Sequence, residues 1–175
     1  MDTLLGGVHA AAWAVYVGGA ITMEWVLRYA QKEMPGPQVG VVCKNAGMRY
    51  RWLALGCLVV IGITGGWMLL RIEDAELLAR PGAPVLSLSD SYGRTVLLLS
   101  VAWALLLATV AFMAFVLHPA QRKRSRPEMT KDEVAAERQR VGRAISRMDK
   151  ALRFELVLSV ISVGIGASLH AGGLI

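Results

Sequence analysis

Two histidines and two glutamates stand at spacings that could build one site. His9, Trp13, Tyr16, Ala20 and Glu24 follow one another at steps of 4, 3, 4 and 4 residues, the stride that keeps side chains on one face of an α-helix. Glu155, Ser159, Ser162, Gly166 and His170 repeat those steps near the other end of the chain. Each histidine is therefore 15 residues from a glutamate, in opposite chain order. If the two helices run antiparallel, the imidazoles meet at one level and the carboxylates at another. Paired imidazoles are ligands for haem iron or for a copper ion. An inner pair of carboxylates could relay protons or release a cation.

The elements that must position these groups follow from composition. Of 175 residues, 55% are hydrophobic, and the mean hydropathy is +0.48. Four apolar runs, about 4–27, 52–70, 95–117 and 154–175, are each long enough to cross a hydrocarbon core of roughly 30 Å at 1.5 Å per residue. The expectation is an all-α, integral-membrane, up-down four-helix bundle forming a single domain over 1–175. The first run reads as a retained span, because Asp2 stands where a signal peptide carries basic residues. The first span continues to about Glu33 and stops at Pro35-Gly36-Pro37. Span 3 runs to His118 and meets Pro119. Thr130-Lys131-Asp132-Glu133 fits a capping box, which predicts a cytoplasmic helix over about 131–153 running into span 4.

The net charge of +6 is unevenly spread. Positions 28–51 hold five basic residues against Glu33 alone, and 122–153 hold eleven against five acidic ones. Positions 71–94 hold three basic and four acidic residues, and both termini lack Lys and Arg. The positive-inside rule then puts the first and third connections in the cytoplasm, with the second connection and both termini outside. A bacterial-type inner membrane is the expected location. The basic third connection is read as a flank to anionic lipid, and no nucleic-acid partner is expected. Cys43 and Cys57 form no framework, and no hydrolytic triad, phosphate loop or two-metal carboxylate cluster occurs.

Several segments resemble the copper-resistance D (CopD) family of membrane proteins. His9 is followed nine residues later by Gly18-Gly19, with Tyr16 at the place of a tryptophan in that family's Trp-x-Gly-Gly motif. Ile63-Thr64-Gly65 matches a Thr-Gly pair, and Tyr92-Gly93-Arg94 before a leucine run matches the opening of span 3. One departure is that the family, like the more distantly similar HemJ-type oxidases, usually places a lysine after that run, where this chain has Leu99-Ser100. The resemblance implies copper passage through the inner membrane for CopD-like proteins, and haem b for HemJ-like ones.

Depth makes the histidines candidates in their own right. His9 and His170 each fall about five residues inside the external boundary, roughly 7 Å deep, and a polar residue in a span is a functional-site hypothesis. The leading expectation is haem b held by His9 and His170, flanked by Trp13 and Tyr16. Arg71, Arg80 and Arg94 would then face the propionates, for transmembrane or quinone-linked electron transfer. The alternative is a copper ion on His9, His170 and Met68, since thioethers suit Cu(I). Met23 and Met113 lie further along a path. A third possibility is an accessory subunit of a larger membrane complex. Partners would be lipid and possible quinones or a periplasmic redox or copper protein. Glu24 and Glu155 are the candidate inner carboxylate site, although Glu24 also stands four residues from Arg28. His118 lies at the opposite end and reads as a helix-terminus residue.

Overall fold

The computed structural model describes residues 2–79, 91–120 and 130–169, and among them every long element is a helix. Helix α1 covers 2–33 and contains a π-helical stretch, Thr22–Leu27. It stops at Met34, whose backbone is extended before Pro35, because a residue preceding proline is pushed out of the helical region. Helix α2, Gly36–Ala79, is 44 residues long, with Pro37 in its first turn where a missing N–H costs nothing. Helix α3 covers 91–120 with a π-helical stretch at Met113–Leu117. Helix α4, Lys131–Ser168, has 38 residues.

Cross-helix contacts fix the direction of each helix. His9 on α1 meets Thr64 on α2, while Gly19 meets Tyr50. Trp103 on α3 donates to the Leu58 carbonyl, and Phe115 packs edge-on to Trp52. Arg28 and Glu24 on α1 pair with Asp149 and Arg153 on α4. In each pair, numbers rising along one helix fall along the other, so neighbours are antiparallel. With α3 also packed on α4, the four helices close into an up-down ring.

Four helices carry stretches long and apolar enough to cross a membrane. The outward faces are apolar: Leu97, Leu98, Val101, Leu105 and Phe112 on α3, and Val157, Val160, Ile161 and Val163 on α4. A surface of that kind suits lipid, and the helical backbone satisfies its own polar groups there. The inward faces hold Tyr16, Ala54, Leu58, Leu106, Val110 and Met113, joined by Met148 at one end. At 1.5 Å per residue, α2 and α4 reach about 66 and 57 Å, well beyond a hydrocarbon core. The first part of α4 therefore extends past the bundle. It starts at the capping box, where the Thr130 side chain accepts from the Glu133 amide and the Glu133 carboxylate accepts from the Thr130 amide. Those bonds hold the Glu133 carboxyl below the usual carboxylate range.

Candidate metal site and buried carboxylate

The His9 end is built from α1 and α2. Tyr50, Ala54, Cys57, Ile61, Thr64 and Met68 follow steps of 4, 3, 4, 3 and 4 along α2, so they share one face, and the first five are buried. That face meets the α1 line of His9, Trp13, Tyr16 and Ala20. The His9 Nδ1 atom is 2.8 Å from Thr64 Oγ1, and Trp13 Nε1 donates to His9 Nε2 at 3.2 Å. The Thr64 hydroxyl donates back to the Val60 carbonyl at 2.6 Å.

These bonds assign the protons. An indole N–H can only donate, so His9 Nε2 is the acceptor and Nδ1 carries the hydrogen. Thr64 has spent its own hydrogen on Val60, which leaves its lone pairs for that N–H. The result is a neutral imidazole held by a hydroxyl on one side, with its Nε2 lone pair facing a single long bond on the other. Gly65 makes this seat possible, since a Cβ there would lie 3.2 Å from His9 Cε1.

One turn along from His9, Trp13 packs edge-on to Tyr16 at 5.9 Å between ring centres. Tyr16 is fully buried beside Glu155, itself 0% exposed. The Tyr50 hydroxyl donates to Glu155 Oε1 at 2.9 Å. Glu155 Oε2, the Tyr16 hydroxyl and Arg51 Nη1 are buried and make no hydrogen bond among the described residues. Beyond them, Glu24 accepts from Arg28 and from Arg153 (3.2 Å), and Arg28 reaches Asp149 at 3.3 Å.

The stretch 44–169 matches the family Copper resistance protein D (CopD). The chain belongs to the CopD family. No curated protein and no solved structure gives a match. The CopD match takes in Thr64, Met68, Arg94 and Glu155, but begins after the first span, so His9 and Glu24 fall before it and His170 just after it.

Among the expected site residues of this CopD-family chain, the structure joins His9 to Trp13, and Trp13 to Tyr16. Met68 lies one turn beyond Thr64 on the same face and is partly exposed. Arg71 and Arg94 are exposed residues of α2 and α3. Glu24 and Glu155 take their partners from different sets, arginines for one and tyrosines for the other. His170 and Arg80 lie outside the described residues. The pairing of Arg28 with Asp149 and Glu24 with Arg153, carried along both helices, brings position 9 level with about position 168.

Haem b is the expectation that fits these residues poorly. The space beside Gly65 is filled by the His9 ring rather than left open for a macrocycle. The family match points to copper instead. Sequence reasoning missed Tyr50 and gave Thr64 no role toward His9. The α2 stride from Tyr50 to Met68 was the signal that could have found both.

Proposed function

We propose that this chain binds copper as its cargo and serves copper passage across the membrane, with His9 as a ligand near one end of the bundle. The reading rests on family membership together with one observation: an imidazole within a span whose Nδ1–H is tethered to Thr64 and whose Nε2, among the described residues, accepts only from the Trp13 N–H. Imidazole and thioether donors suit copper. A tether on the far ring nitrogen is the usual way a protein orients a ligating histidine. Breaking the Trp13 bond costs only about 0.5–1.5 kcal/mol, so Nε2 is easily released to a metal.

His170 and Met68 complete the donor set. The helix register that brings position 9 level with about 168 supports the first, and the Thr64–Met68 turn supports the second. The spread of Lys and Arg supports placing this end outside a bacterial-type inner membrane, with both termini there, where a periplasmic copper protein could supply the ion.

The test is Cu(I) titration of the purified chain in detergent, in competition with a chromogenic chelator. His9→Ala and His170→Ala should each weaken binding at least tenfold, and His118→Ala should leave it unchanged. A visible spectrum of the protein as purified should lack a Soret band. Undiminished Cu(I) affinity in the His9→Ala, His170→Ala double variant would remove the proposal.

A further inference from the structure

Within the bundle, α4 turns its polar side inward. From Glu155 to its end, the buried residues are Glu155, Ser159 and Ser162, while the valines and Ile161 face out. The two serines have a use for their hydrogens, donating to the Leu156 and Leu158 carbonyls at 2.9 and 2.8 Å. Glu155 differs. Its Oε1 accepts one bond from Tyr50, while its Oε2 and the Tyr16 hydroxyl, within reach of each other, have no other partner among the described residues.

We propose that Glu155 is a proton-binding site within the membrane, its carboxyl holding an exchangeable proton between the Tyr16 and Tyr50 hydroxyls. One proton on Oε2 turns an orphaned acceptor into a donor, and the Tyr16 oxygen beside it becomes the acceptor. Two unsatisfied buried atoms are then satisfied at once. An ionised carboxylate could also accept from the Tyr16 hydroxyl, but its donors would then be two neutral hydroxyls with no cation bonded to it, which falls short of what stabilises a fully buried anion.

The surroundings agree. From α1 the group facing Glu155 is Tyr16, and from α2 the groups are Tyr50, Cys57 and Arg51. Arg51 acts through charge at a distance, and its Nη1 makes no bond. From α3 the core residues Leu106, Val110 and Met113 carry no titratable group, and the titratable residue of the α3 turn packed on α4 is His118. On α4 itself, Asp149 and Arg153 lie toward the helix's start and are partly exposed. The cluster of Glu24, Arg28, Asp149 and Arg153, whose Asp149 and Arg153 side chains are exposed, comes next toward the start of α4, a side from which a proton could arrive. This inference does not depend on copper, because it rests on the Glu155 surroundings alone.

Infrared spectroscopy of the full chain in detergent tests it at neutral pH. The spectrum should contain the carbonyl stretch of a protonated carboxylic acid, absent from Glu155→Gln, and the band should move down on transfer to D2O. Tyr50→Phe keeps the carboxyl but removes its donor, so the band should move up in frequency. That second variant carries the assignment even if Glu155→Gln fails to fold. Carboxylate bands alone in the wild type, a band that survives Glu155→Gln, one that Tyr50→Phe leaves in place, or one unmoved in D2O would each overturn the proposal.

Discussion

The two ends of the α1–α2 interface use the same device with the helices exchanged. At one end an α1 ring, His9, sits over an α2 glycine, Gly65. At the other an α2 ring, Tyr50, sits over an α1 glycine, Gly19, where a Cβ would lie 2.7 Å from the ring. What each ring does next is different. His9 enters a closed circuit, in which Trp13, the imidazole and Thr64 each have a partner and every hydrogen is assigned. Tyr50 enters an open one, leaving Glu155 Oε2, Tyr16 and Arg51 Nη1 unbonded. A closed circuit fixes an orientation, as a ligand requires. An open one leaves room for an added proton.

The largest effect should come from breaking the closed circuit at Thr64. Thr64→Val keeps the shape but removes the acceptor for the His9 Nδ1–H. Losing this half-buried bond, with the Ile61 carbonyl left as the remaining acceptor, costs about 0.5–1.5 kcal/mol, readable as a lower midpoint of thermal unfolding in detergent. Loss of the group that orients a ligating histidine also typically weakens a metal site about 10–100-fold, so Cu(I) affinity should fall by that much. Unchanged stability and affinity would mean that Thr64 does not orient His9.

The paired glycines sharpen the contrast. Gly19→Ala forces the Tyr50 ring aside, and overpacking of this kind costs about 1–3 kcal/mol. Because the Tyr50 hydroxyl donates to Glu155, the Glu155 infrared band should shift in this variant too. Gly65→Ala meets His9 Cε1 at the looser 3.2 Å and needs a shift of only a few tenths of an ångström. It should cost less stability than Gly19→Ala while changing Cu(I) affinity more. The reverse ranking would say that the two seats are not used differently.

Much of this was legible in the chain. The 4-3-4-4 stride of His9 to Glu24 and the 4-3 stride of Glu155 to Ser162 named the inward faces of α1 and α4, because helical periodicity is a local property. The capping box at Thr130 was readable for the same reason. The partners were not. Thr64 lies 55 residues from His9, and Tyr50 lies 105 from Glu155, so only the packed bundle brings them together. Lys44, Arg49 and Arg51 also interrupt the apolar pattern of α2. They delay the readable span to about 52, although the helix begins at Gly36. Glu24 and Glu155 looked equivalent by spacing, but Arg28 and Arg153 stand within reach of one and tyrosines within reach of the other.

That last difference gives the smallest expected effect. Glu24 accepts from both Arg28 and Arg153, and the Arg153 side chain is 62% exposed. Arg153→Ala leaves Glu24 with Arg28, so the loss is that of one solvent-exposed ion pair, about 0.2–1 kcal/mol. Because exposed charges are screened by salt, the difference from wild type in thermal unfolding should shrink as ionic strength rises. Arg28→Ala should cost more, since it removes a partner from Glu24 and from Asp149 together. Neither change should alter the Glu155 carbonyl band, because that carboxyl draws its bond from Tyr50 rather than from the arginines. If Arg153→Ala moved the Glu155 band as far as Tyr50→Phe does, the two carboxylates would belong to one electrostatic site. The separation between the ionic cluster and the buried acid would then be lost.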